Sequence, residues 1–209
     1  MKYSDFLIKC DIVLGSIISQ TGFRKSQPGT WNRNRGDEFN VIWLQKDRTK
    51  EAFCVNLGIH YSFLPSAGRA VPLGPTPIPF GDCEFMLRLT SQHAASDQWW
   101  PLSEESVPEV VEVIRLRALA IFDAYRLSGP ISQMTATDIT NGDQGLLAPL
   151  GRVRACLFLA LMHEWQGNQD QCLEAARLGV NIAGVAVGPK VALKMIIQRV
   201  ETNEGRTRS

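Results

Sequence analysis

Two segments, Phe39–Lys46 and Ala52–Tyr61, alternate their side chains with the period of a strand, after an amphipathic helical segment and before helical sequence to the end. That order restricts the chain to an α+β fold. In the first segment Phe39, Val41 and Trp43 face one way and Ile42 and Leu44 the other, which predicts a central strand with apolar groups on both faces. In the second, Phe53, Val55, Leu57, Ile59 and Tyr61 share one face, and Cys54, Asn56, Gly58 and His60 share a mixed one.

The elements around this pair follow from the same periodicities. Phe6, Cys10, Val13 with Leu14, and Ile17 with Ile18 recur at helical spacing, and Gly22 supplies a stop. A Pro28-Gly29 turn and a Gly36-Asp37 turn divide Phe23–Arg35 into two short strands of a meander. Ser62–Gly81 carries Pro65, Pro72, Pro75, Pro77 and Pro79 with Gly68 and Gly74, which predicts a long excursion from the sheet. Alternation resumes over Cys83–Ser91, and Trp99-Trp100-Pro101 closes the sheet region. Ser106-Val107-Pro108-Glu109 has capping-box spacing and opens a helix running toward Ser128-Gly129-Pro130. Leu150–Gln166, Gln169–Ala183 and Pro189–Val200 are three further helices, with a polar tail from 201. The expected architecture is an N-terminal helix on a mostly antiparallel sheet of four to five strands, residues 1–128, followed by a helical subdomain, 129–209, packed against it.

With 209 residues, 44% hydrophobic and 21% charged, the chain can bury one sizeable core, and a net charge of +1 provides no global field for nucleic acid or anionic lipid. Its five cysteines are odd in number, widely spaced and set in apolar runs, so reduced core thiols are expected in place of a disulfide framework. The first residues lack the apolar stretch of a signal peptide, and no window approaches a membrane span, which makes the cytoplasm the expected location.

No catalytic constellation emerges. His60, His93 and His163 have no partners at metal-ligand spacing, and His60 lies about 20 Å along the strand from Cys54, too far to activate its thiol. Gly36-Asp37-Glu38-Phe39 resembles the tail of the diguanylate cyclase signature, without its first glycine, and sits where a hairpin turn belongs. Gly184–Lys190 lacks phosphate-loop spacing and is a helix connection. No metal and no cofactor is expected.

Three surfaces remain as candidates. Asn56 and His60 share a sheet face with Glu84 and Arg88 of a neighbouring strand, beside Trp43 or Gln45; this is either a binding face or a solvated one with an ordinary Glu–Arg pair. Of Trp99 and Trp100, at least one covers the core while the other is available as a partner anchor. Arg24, Lys25, Arg33 and Arg35, with Trp31 between them, form a basic hairpin suited either to phosphates and a stacked base or to simple edge protection.

Thr21–Lys25, Trp31-Asn32-Arg33, Val41–Lys46, Phe53–Ile59 and Trp99-Trp100 resemble the bacterial DUF4304 family, a domain of unknown function, with Gln45 and Asn56-Leu57-Gly58 as the sharper marks over Ser4 to Tyr125. The stretches Leu159–Asn168 and Cys172–Ala176 are similar to a single tetratricopeptide-like hairpin. The resemblance implies an intracellular α+β protein and carries over no catalytic residue; by analogy it implies partner binding of the immunity-protein kind. The expected function is therefore a non-enzymatic protein-binding module, with toxin neutralisation by occlusion as the role the analogy implies, that uses the mixed sheet face, the Ser62–Gly81 loop and the paired tryptophans. The alternatives are an enzyme or small-molecule binder in a pocket of Asn56, His60, Glu84 and Arg88, and a nucleic-acid binder through the basic hairpin.

Overall fold

The computed structural model describes residues 2–65, 77–90 and 98–207, and the chain divides into two compact units, Met1–Tyr125 and Arg126–Ser209. Residues 66–76, the greater part of the proline-rich excursion, and 91–97, which include His93, lie outside the described residues.

The first unit opens with helix α1, Tyr3–Ile18, which buries Phe6, Leu7, Cys10, Leu14 and Ile18. Each full burial contributes about 2 kcal/mol before entropy is counted. Leu7 joins the expected stripe, whereas Val13 lies on its exposed margin. Gly22 ends this region in the left-handed conformation, φ +90°, with its amide on the Ser19 carbonyl at 3.0 Å.

Strands β1 (Arg24–Gln27), β2 (Thr30–Arg35), β3 (Glu38–Lys46), β4 (Ala52–Tyr61) and β5 (Phe85–Arg88) follow in spatial order, every pair antiparallel. Glycines make the tight turns: Gly36, φ +69°, is the first residue of the two-residue β2–β3 loop, the position a type II′ hairpin reserves for it. At the β3–β4 turn the Asp47 carboxylate accepts from the amides of Thr49 (2.7 Å) and Lys50 (2.9 Å), and these bonds, the Thr49 amide first, hold it below the usual carboxylate range. Two features depart from the sequence reading. The last long strand shrinks from Cys83–Ser91 to β5, and a two-residue strand β6, Trp100–Pro101, pairs with β4 beyond it. A two-residue strand is too short to leave a periodic signal.

Helix α2 (Ser106–Val113) continues through a π-helical stretch, Ile114–Ala118, into α3 (Leu119–Ala124). Its expected capping box does not form. The helix begins at Ser106 itself, no side chain caps it, and Glu109 instead accepts the Trp100 indole N–H at 2.9 Å. On the face of the sheet that carries Ile42, Phe53, Val55, Leu57, Ile59 and Tyr61, α1 and α2–α3 complete the core, with Phe6 against Phe53 at 4.3 Å between ring centroids and Phe85 against Tyr125 at 4.8 Å. The Tyr61 hydroxyl donates to the Tyr125 carbonyl at 2.5 Å, tying the end of β4 to the residue that follows α3.

The second unit is helical. Helix α4 (Ala136–Asn141) carries a capping box between Thr135 and Asp138. Helices α5 (Arg152–Gln166) and α6 (Gln169–Ile182) meet across Gly167, φ +78°, and α7 spans Val187–Thr207. Gly179 permits the close approach of these helices, since a Cβ there would lie 2.8 Å from that of Cys156 and 2.6 Å from Leu193 Cδ1. Arg199 forks onto both Glu164 oxygens at 2.6 Å. Across the two units all five cysteines are buried and none forms a disulfide.

Candidate functional site

The mixed face of the sheet is set by strand parity. Asn56 stands between Trp43 and Arg88, Gly58 between Val41 and Met86, and His60 opposite Phe39. Gly58 decides what happens there, because a Cβ at this position would lie 2.5 Å from Cys83 Sγ and 3.2 Å from Phe80. The chain returning from the excursion therefore lies directly on the middle of β4. Ile78 and Cys83 pack on Phe39 and Val41, and Phe80 packs on Trp43 with ring centroids 5.1 Å apart.

This cover separates the four residues grouped by the sequence. Asn56 is buried and donates its amide to Gln45 Oε1 at 3.0 Å, at the end of the face that holds Arg88. His60, four residues or about 13 Å along the strand, is 0% exposed, and neither ring nitrogen has a hydrogen-bond partner among the described residues. Burial lowers its pKa, and the nearby Glu84 carboxylate opposes that shift. The expected common pocket of Asn56, His60, Glu84 and Arg88 is thus not assembled: Gly58, Met86 and Cys83 stand between its halves. Burial, then the neighbouring acid, pushes the Cys83 and Cys10 thiols up to about 12, away from the thiolate a nucleophile needs.

His60 has a measurable consequence. The folded state disfavours its imidazolium relative to the unfolded chain, whose value is about 6.5. The stability it contributes is therefore complete above that value and is lost as the pH falls below it. His163 of α5, also buried with its pKa lowered by desolvation, acts in the same direction. Urea midpoints measured from pH 7.5 to about 5 should fall, and His60→Leu should flatten the decline; an equally steep decline in that variant would remove His60 from the account.

The two tryptophans divide. Trp100 is core, stacked on Phe53 at 6.0 Å. Trp99 is 38% exposed, with the Arg88 guanidinium over its ring at 5.0 Å. Met86, on the same face as Arg88, is 50% exposed. Sequence reasoning passed over Met86 because alternation alone does not say which residues of a face stay uncovered.

The basic hairpin does not form the surface expected of it. Trp31 is 2% exposed and Arg33 4%, so neither has a surface from which to stack on or neutralise a ligand chain. Arg33 donates Nε and Nη2 to Asn40 Oδ1 at 2.9 and 2.8 Å and lies 4.5 Å from the Phe23 ring centroid. Lys25 pairs with Asp11, and Arg35 with Asp123 at 3.5 Å. Arg24, exposed on β1, donates to the Ser19 and Phe23 carbonyls and has no carboxylate partner among the described residues.

Among the described residues no group of three or more His, Cys, Asp or Glu side chains is placed to hold a metal ion, and no helix is long and apolar enough to cross a membrane. The family model described as a domain of unknown function, DUF4304, matches residues 14–123. No curated protein and no solved structure matches the chain.

Proposed function

The chain belongs to the DUF4304 family, and from that premise we propose that it is a non-enzymatic protein-binding module whose contact surface centres on Trp99, Arg88 and Met86. The observation that carries the reading is the exposed indole of Trp99 held beneath the Arg88 guanidinium at 5.0 Å. Tryptophan, arginine and methionine are the side chains that protein interfaces concentrate, and an indole ordered before contact loses little entropy on docking. Gln45, with its oxygen on Asn56, and Trp43 against Phe80 extend the same face as a polar and aromatic margin. The separation of Asn56 and Arg88 from His60 and Glu84 weighs against chemistry there. The proposed setting is the cytoplasm, where thiols stay reduced, and neutralisation of a toxin by occlusion is one role such a surface would serve.

The test is capture of a partner from the native host with tagged full-length chain, followed by titration of the purified pair. Wild type should bind stoichiometrically with a dissociation constant between nanomolar and micromolar, and Trp99→Ala should weaken binding by about 2 kcal/mol or more with an unchanged urea midpoint. Equal affinity of Trp99→Ala and Arg88→Ala with wild type would move the interface elsewhere.

A further inference from the structure

A cleft of about 290 Å3 lies at the β1–β2 edge of the sheet, the edge away from β5 and its Arg88, between the β1–β2 hairpin and the segment at Pro77 and Ile78. Phe39 and Ile78 give it an apolar floor, and Arg24 and Asn34 stand at its exposed rim. Asn32 ties its walls together, donating to Ser26 Oγ at 2.7 Å and accepting the Ile78 amide at 3.1 Å, and so joins β1, β2 and the covering segment. No carboxylate is among the described residues that line it. Arg24 donates only to the backbone carbonyls of Ser19 and Phe23, both at 3.4 Å, and has no acidic partner among the described residues.

We propose that this cleft binds a small molecule carrying one anionic group on a compact apolar body. The apolar floor receives the body, and the Arg24 guanidinium and the Asn34 amide, both at the rim, receive the anion. A volume near the lower end of ligand pockets suits one small compound. A nucleic-acid strand needs a row of available cations, and here Trp31 and Arg33 are core residues while Lys25 and Arg35 face Asp11 and Asp123. One unpaired arginine suits one anionic group.

The probe is anilinonaphthalene sulfonate, a sulfonate on an apolar ring system, followed by its fluorescence on the native full-length chain. Wild type should show one saturable site per chain. Arg24→Glu, at an exposed strand position, should weaken it at least tenfold, and Ser26→Trp, which fills the cleft from β1, should abolish it, with circular dichroism unchanged in both. Retained binding in both variants would overturn the proposal. So would a single-stranded oligonucleotide that binds wild type with a steep salt dependence and loses affinity in Arg24→Glu, since that behaviour belongs to a nucleic-acid surface. Neither variant touches Trp99 or Arg88, so this test and the partner test fail independently.

Discussion

Replacing Gly58 with valine should cost the first unit about 3 kcal/mol and release residues 77–83 from the sheet. The substitution suits β4 in every respect but one, since valine has a higher strand propensity than glycine. The single obstacle is space: the added Cβ would lie 2.5 Å from Cys83 Sγ and 3.2 Å from both Cys83 Cβ and Phe80 Cδ2. Cys83 cannot retreat within β4's face, because it is already packed with Ile78 on Phe39 and Val41. The covering segment must therefore lift, exposing those four residues and the Trp43–Phe80 pair. A lowered urea midpoint together with new proteolytic cleavage between Pro77 and Cys83 is the expected result. Gly58→Ala should give the same pattern in weaker form. A midpoint within experimental error of wild type for Gly58→Val would show that the cover yields at no cost, and the account of this face would fail with it.

The second large effect concerns Arg33. Its guanidinium is buried with two donors on the Asn40 amide oxygen, a third on the Thr21 carbonyl at 3.3 Å, and the rings of Phe23 and Phe122 at 4.5 and 5.4 Å. Arg33→Met keeps much of the volume but leaves Asn40, itself buried, with an unpaired oxygen, and should cost about 3 kcal/mol. Arg33→Lys should recover less than half of that, because an ammonium cannot reproduce the two-pronged contact. Adding Asn40→Leu to Arg33→Met should restore part of the loss by removing the orphaned acceptor, so a double-mutant cycle should give a coupling of about 1 kcal/mol or more. Strictly additive changes would show that the pair does not act as a unit.

These two sites mark where the sequence was legible and where it was not. Strands β3 and β4 could be read because each is long enough for alternation to be unambiguous, and helices α5 and α6 because Gly167 divides two clear periodic runs. Arg33 was misread as part of a basic surface although the pattern held the answer. Trp31 and Arg33 are two positions apart on one strand and share a face, so a core tryptophan carries the arginine inward with it. The covering segment left a fainter trace. Its prolines announce an excursion but not the route of its return, and only a glycine in the middle of an otherwise strong strand signals that another part of the chain comes close. The candidate site suffered most from this. Face parity correctly placed Asn56, Gly58 and His60 together, yet parity does not show that the centre of the face is occupied, and a site imagined as continuous is divided in two.

The distribution of the five cysteines gives the molecule a built-in recorder. Cys10, Cys54 and Cys83 are enclosed in the first unit, Cys156 and Cys172 in the second. A maleimide offered to the native chain should find nothing to alkylate, and each adduct that appears over time, located by mass spectrometry, would date the opening of one unit separately from the other.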